Sequence, residues 1–174
     1  MGAAPRIETA RLILRAAEAS DFAGQFAMLG DPAVMRFVGG KPLSREEAWR
    51  KLLQTPGLWA LLGYGYWTVE SREGRAYLGQ IGFADFKRDL LPSIEGLPEM
   101  GWMFAAAGQG KGYAAEAAEA ALAWADETLA APEIVAIVDP GNERSIRLAE
   151  RCGFRRAEAT HYAGDPVLIF RRTR

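Results

Sequence analysis

Gly108-Gln109-Gly110-Lys111-Gly112-Tyr113-Ala114, running into the alanine-rich stretch 115–131, is the segment from which the rest of this chain is laid out. Glycines permit a tight turn, and the alanines that follow are strong helix formers. Just before them lies Glu99-Met100-Gly101-Trp102-Met103-Phe104, an apolar, aromatic run of strand length. The local order is therefore strand, glycine turn, helix start. The first amides of a helix have no intrahelical partner and sit at the positive end of its dipole, and glycine lets a phosphate come close to the main chain. The segment reads as a phosphate cradle to which Lys111 adds a mobile positive charge. A glycine turn that merely joins a strand to a helix fits the same residues.

Spacing excludes two common phosphate loops. A Walker A loop needs G-x-x-x-x-G-K-[ST], and here the lysine precedes its glycine with no hydroxyl residue after it. The dinucleotide fingerprint needs G-x-G-x-x-G/A, which Gly110-x-Gly112-x-Ala114 misses by one residue.

The 174 residues predict one domain spanning 1–174, with the apolar and charged fractions of an ordinary globular protein. A net charge of −1 gives no basic surplus for binding nucleic acid. The single Cys152 excludes an intrachain disulfide and a cysteine metal cluster, and a lone His161 argues against a histidine zinc site, so no metal is expected. The first residues carry no apolar signal core, and Glu116, Glu119, Asp126 and Glu127 interrupt the alanine-rich run. A cytoplasmic protein without a membrane span follows as the expectation.

In chain order, 7–15 reads as a first strand and 20–29 as a helix with Ser20-Asp21 at its cap. A short helical turn follows at 33–37. Ser44-Arg45-Glu46-Glu47 has capping-box spacing and opens a helix to about Gln54. Residues 59–62, 66–70 and 77–86 read as strands, 87–98 as a polar, proline-bearing loop, and 99–104 as a further strand. A long helix over 112–129 precedes a β-branched strand at 134–138. Asn142 caps a helix over 143–151 that Gly153 ends, and 154–160 with 167–171 close the chain as antiparallel strands. This alternation predicts a mixed α/β (α+β) fold.

Gln109-Gly110-Lys111-Gly112-Tyr113-Ala114 fits [Gln/Arg]-x-x-Gly-x-[Gly/Ala] and resembles the acyl-CoA pyrophosphate loop of the GNAT superfamily of N-acetyltransferases. Three further segments, in the same order along the chain, are similar to that family. They are Glu8-Thr9-x-Arg11-Leu12-x-Leu14-Arg15, Leu78-Gly79-Gln80-Ile81-Gly82 and Asn142-x-x-Ser145 followed by a helix and Gly153-Phe154. The opening phrase is closest to the RimJ/RimL-like branch. The resemblance implies a central splayed sheet of about seven mostly antiparallel strands flanked by about four helices, two neighbouring strands parting to admit the pantetheine arm.

It also implies an acetyl-CoA-dependent transfer of acetyl to a primary amine, either a protein N-terminus or a small molecule, by direct attack. The different reading is a GNAT-fold module that binds acyl-CoA without catalysis. On the family pattern, main-chain groups of Gln109, Gly110, Lys111, Gly112, Tyr113 and Ala114 hold the pyrophosphate, and those of Trp102, Met103 and Phe104 the pantetheine. Asn142 matches the family asparagine on the pantetheine or amine side, and a bare helix cap explains it too. Ser145 lies near the sulfur. Glu99 matches the carboxylate that serves as base in this branch, with Glu95 as rival and a solvated strand-end glutamate as the plain reading. Many members carry a tyrosine acid four residues before Gly-Phe, where this chain has Ala149, which leaves Ser145 as the nearby hydroxyl. Tyr113 and Cys152 read as packing residues and His161 as a loop residue. The acceptor is not legible, and monomer and homodimer are both compatible with the sequence.

Overall fold

The computed structural model describes residues 2–173. Among them run eight strands and five α-helices: β1 (Ile7–Glu8), β2 (Leu12–Arg15), α1 (Phe22–Leu29), α2 (Pro32–Met35), α3 (Arg45–Leu62), β3 (Tyr66–Ser71), β4 (Tyr77–Ala84), β5 (Glu99–Phe104), α4 (Tyr113–Thr128), β6 (Glu133–Val138), α5 (Glu143–Arg151), β7 (Arg155–Tyr162) and β8 (Asp165–Thr173). They form one sheet in the order β1-β2-β3-β4-β5-β6-β8-β7. Every pairing is antiparallel except β5 with β6. The mixed, mostly antiparallel architecture is as expected, with one strand and one helix more.

Alternating side chains assign the two faces of the sheet. Leu12, Leu14, Trp67, Phe83, Met100 and Phe104 point to the face that α4 covers, where Ala117, Ala118, Ala121 and Ala125 are buried. Alanine faces let helix and sheet approach closely, which is why this helix could be read so directly from composition. The opposite face meets α1 and α2 through Met28, Leu29 and Met35, with Tyr77 and Met103 of the sheet packed against them.

Three elements depart from the expectations. The first strand is a small hairpin, β1 pairing with β2 in the register Ile7↔Leu14. Residues 59–62 are helix, not strand: α3 continues through Pro56 until Gly63, which caps it in the left-handed region at φ 75°. Burial decided this, because the helical form seats Trp59 edge-on to Trp67 and Trp124, centroids 4.8 and 5.5 Å away. The polar loop 87–98 is a cover, since Leu90 and Ile94 are buried against Val135 of β6 and Ile169 of β8. At α1 the cap also differs. Asp21 makes no cap bond to that helix, because its carboxylate takes a two-pronged ion pair from Arg15 at 2.7 and 2.9 Å.

Candidate active site

Strands β5 and β6 pair only at Glu99↔Val135, where Val135 N–H also donates to the Pro98 carbonyl. Beyond that point they part. Ala105 N–H donates to Leu78 O, and the β4–β5 register continues through Gln80↔Met103 and Gly82↔Gly101. In an antiparallel ladder main-chain groups alternate sides, so those of Met103 face β4 while those of Trp102 and Phe104 face the opening. The Phe104 carbonyl there accepts a bond from the Gln109 side-chain amide at 3.0 Å.

Two cavities meet at this opening. One, of about 620 Å3, lies between the start of α4 and α5, lined by Phe104, Gly108 to Gly110, Gly112 to Ala115, Arg144 and Leu148. The other, of about 510 Å3, lies beneath α3 and the 86–88 segment, lined by Lys51, Tyr66, Arg88, Glu99, Gly101 and Tyr162. Phe37, Val38, Trp102, Met103, Asn142 and Ser145 line both, which makes them the throat of one continuous cleft.

The first cavity has a geometry that could hold an anion. Gly110 and Gly112 hold φ of 73° and 78°, a backbone that side-chain-bearing residues resist. Gly112 is the N-cap of the sixteen-residue α4, and no side chain caps the helix there. Its first amides are left free at the positive end of the dipole. Arg11 braces the loop from the N-terminal hairpin: it donates to Lys111 O at 2.8 Å, pairs with Glu116 at 2.6 Å, and stacks 4.7 Å from the Tyr113 ring centroid. Burial works against the Glu116 charge, but bonds from Thr9 and Arg11 outweigh it and hold the carboxyl below its ordinary range. Arg144 donates to Gln109 Oε1 at 3.1 Å and joins the loop to α5. Lys111 lies outside this cavity wall.

At the throat, Asn142 Oδ1 accepts from Ser145 N–H at 3.2 Å and so caps α5 while lining both cavities. Ser145 Oγ accepts from the Trp102 indole at 3.1 Å, which leaves its own hydrogen free to be donated. In the second cavity Glu99 is buried, and Arg88 grips both carboxylate oxygens at 2.6 and 2.8 Å. The Arg88 guanidinium also lies 4.8 Å from the ring centroids of both Phe86 and Tyr162. Burial opposes its charge, and Glu99 more than offsets this, so it stays charged. Burial, then the Glu99 charge, push the Tyr66 hydroxyl well above its ordinary value, so it keeps its proton at neutral pH. A Cβ at Gly101 would run into that hydroxyl, which accounts for the glycine.

The structure thus gathers Glu99, Trp102, Met103, Phe104, Gln109, Gly110, Gly112, Tyr113, Ala114, Asn142 and Ser145 along one cleft. Ala149, on α5, is fully buried in the core. Arg88, Tyr66 and Tyr162 escaped the sequence reading because none sits in a motif, and Arg11, though part of the opening phrase, does not read there as a brace for the loop, because these roles depend on elements distant in the chain. Among the described residues, no cluster of His, Cys, Asp and Glu could hold a metal ion, and no helix is long and apolar enough to cross a membrane.

A family profile described as an acetyltransferase (GNAT) domain matches residues 11–155. The Bacillus subtilis protein YkkB, itself uncharacterised, is 31% identical over 99% of this chain and 98% of its own. The crystal structure of an acetyltransferase from Agrobacterium tumefaciens is 31% identical and superposes with a TM-score of 0.84, covering 99% of this chain and 96% of that one. The ribosomal L7/L12 α-N-protein acetyltransferase RimL, solved with coenzyme A, shares the fold at a TM-score of 0.78 and 18% identity, over 97% of this chain and 98% of that one.

Proposed function

The chain belongs to the GNAT acetyltransferase family, and on that premise we propose that residues 1–174 act as one cytoplasmic domain transferring an acetyl group to a primary amine, on a protein N-terminus or a small molecule. Acetyl-CoA is the acyl donor, supplying a thioester carbonyl open to direct attack. The observation that carries the proposal is the through-going cleft, with Trp102, Asn142 and Ser145 at its throat.

Free amides at the start of α4, with Gln109, Gly110 and Gly112 before them, suit the diphosphate of coenzyme A. The fit rests on the left-handed glycines and the absence of a side-chain cap. Lys111 adds charge from the rim, and Tyr113 and Ala114 contribute main-chain donors. Trp102 and Phe104 offer main-chain groups to the pantetheine amides, while Met103 contributes its side chain as wall. An amide of the opening beside Phe104 suits the developing oxyanion, where one donor is worth roughly 2.7–4 kcal/mol of barrier. Holding both reactants across the throat is worth roughly 7–11 kcal/mol more.

Each oxygen of Glu99 takes one bond from Arg88, which leaves lone pairs for an N–H of the acceptor or a bridging water. Glu99 thereby receives the amine proton, and Arg88 fixes its rotamer. An α-amine, with pKa about 8, needs only modest help. Ser145 offers its free hydrogen as a hydrogen bond to the departing thiolate, itself a tolerable leaving group at a pKa of about 8.5, which takes its proton from water as Glu99 returns the amine proton to solvent. The test is thiol release from acetyl-CoA with a panel of amines and N-terminal peptides. Heat stabilisation by acetyl-CoA without turnover of any amine would replace this reading with that of a non-catalytic acyl-CoA-binding module.

A further inference from the structure

The acceptor side of the cleft carries charges that the reaction itself does not use. Arg88 is committed, gripped by Glu99 and stacked between two aromatic rings. Lys51, on α3, and Arg36, just after α2, line the same cavity. Among the described residues neither has an acidic partner: Arg36 lies only over the Phe37 ring at 5.1 Å, and no ion pair involves Lys51. Local desolvation and the like charge of Arg88 hold the Lys51 ammonium below its ordinary range. The residue as a whole is exposed, so this is crowding at the cavity wall and not deep burial.

From other elements come acids. Asp139, in the turn between β6 and α5, lies three residues before Asn142 of the throat, and its Oδ1 accepts from Gly141 N–H at 2.7 Å. Asp165 begins β8 on the same cavity. The chain at Phe37 closes against this turn, a Cβ on Gly141 falling 3.3 Å from the Phe37 ring. The cavity is therefore polarised, with unpaired cations on the α2–α3 side and carboxylates on the β6–α5 and β7–β8 turns.

We propose that the acceptor carries an anionic group besides its amine, a carboxylate held by Lys51 with Arg36 beside it, while the amine end faces the throat and Asp139. This rests on the transferase reading above and narrows its substrate class. A diamine of the same length would put a second positive charge against Lys51 and Arg88. A neutral amide would leave the Lys51 cation unpaired in the occupied cavity, and a charge-assisted bond of this kind is worth about a tenfold to hundredfold change in equilibrium.

The experiment compares δ-aminovalerate, its amide and cadaverine, chains alike in reach, with β-alanine and its amide as a shorter pair. Peptides beginning Ala-Glu or Ala-Gln test whether the anion comes from a peptide side chain. Thiol release should favour the anionic member of a pair by about tenfold to a hundredfold in kcat/KM. Lys51→Met should erase that preference by lowering the anionic member toward its amide, and Lys51→Arg should restore it. Calorimetry of the protein loaded with coenzyme A, titrated with δ-aminovalerate or its amide, gives the same comparison without turnover. If no amine is acetylated but the carboxylate still binds through Lys51, the transferase reading fails and the anion site stands. Equal use of acid, amide and diamine, a preference that survives Lys51→Met, or no binding of either probe overturns the proposal.

Discussion

The Trp102 indole donates to the Ser145 hydroxyl at 3.1 Å, joining β5 to α5 across the opening where β5 and β6 cease to pair. The bond fixes the serine rotamer and directs its remaining hydrogen into the throat. One side-chain contact thus spans the opening and orients the proposed acid.

Ser145→Ala should therefore lower kcat by about tenfold to a hundredfold, at or below the lower end of what a positioned acid contributes, because a thiolate leaves without much help. The KM for acetyl-CoA should change little. Pre-steady-state thiol release measures this, and an unchanged kcat would remove Ser145 from the chemistry.

Glu99→Gln leaves the Arg88 guanidinium half-buried without its counter-charge, at a cost of about 3–5 kcal/mol in stability. The paired variant Arg88→Met with Glu99→Leu should recover most of that stability, since neither charge remains buried. Activity should stay low in both. Urea denaturation alongside turnover separates the two roles, and recovery of activity with stability would reduce Glu99 to a structural partner.

Gly112→Ala forces a side chain into φ 78° and sets its Cβ 3.4 Å from the Arg11 guanidinium. A loss of about 1–2 kcal/mol in stability is expected from the backbone alone. Weaker binding of coenzyme A should accompany it in calorimetry, because the first amides of α4 would be displaced.

The Asp21 carboxylate should make the fold acid-sensitive. Its burial disfavours the charge, but the Arg15 guanidinium, the Glu18 N–H at 2.8 Å and the Thr68 hydroxyl at 3.0 Å outweigh this and hold its pKa below the ordinary carboxylate value. A group whose folded pKa is depressed adds stability that is complete above the unfolded value, about 3.9, and fades as pH falls through the folded one. Asp21→Asn should lower stability at neutral pH by about 3–5 kcal/mol and flatten its decline in acid. Thermal midpoints at neutral pH and below pH about 4 give the comparison.

Local chemistry made the cleft's cofactor side legible in the sequence. Gly110 and Gly112 announce a left-handed turn, the alanines of α4 announce a helix packed on a sheet, and Asn142 announces a cap. The end of α3 was not legible: the sequence reads as helix to about Gln54 and as strand over 59–62, and only burial of Trp59 against Trp67 and Trp124 settled the longer helix.

By itself the sequence determined most of the elements in their order, the glycine turn into α4 and the resemblance to the family, because each depends on residues adjacent in the chain. Tertiary structure alone decided that β5 and β6 stop pairing at Glu99, that Arg88 from a covering loop takes hold of Glu99, and that, among the described residues, Lys51 and Arg36 line the same cavity without an acidic partner. Those facts are set by packing between segments far apart in the chain, where burial and charge are shared among side chains whose spacing in the sequence carries no record of the contact.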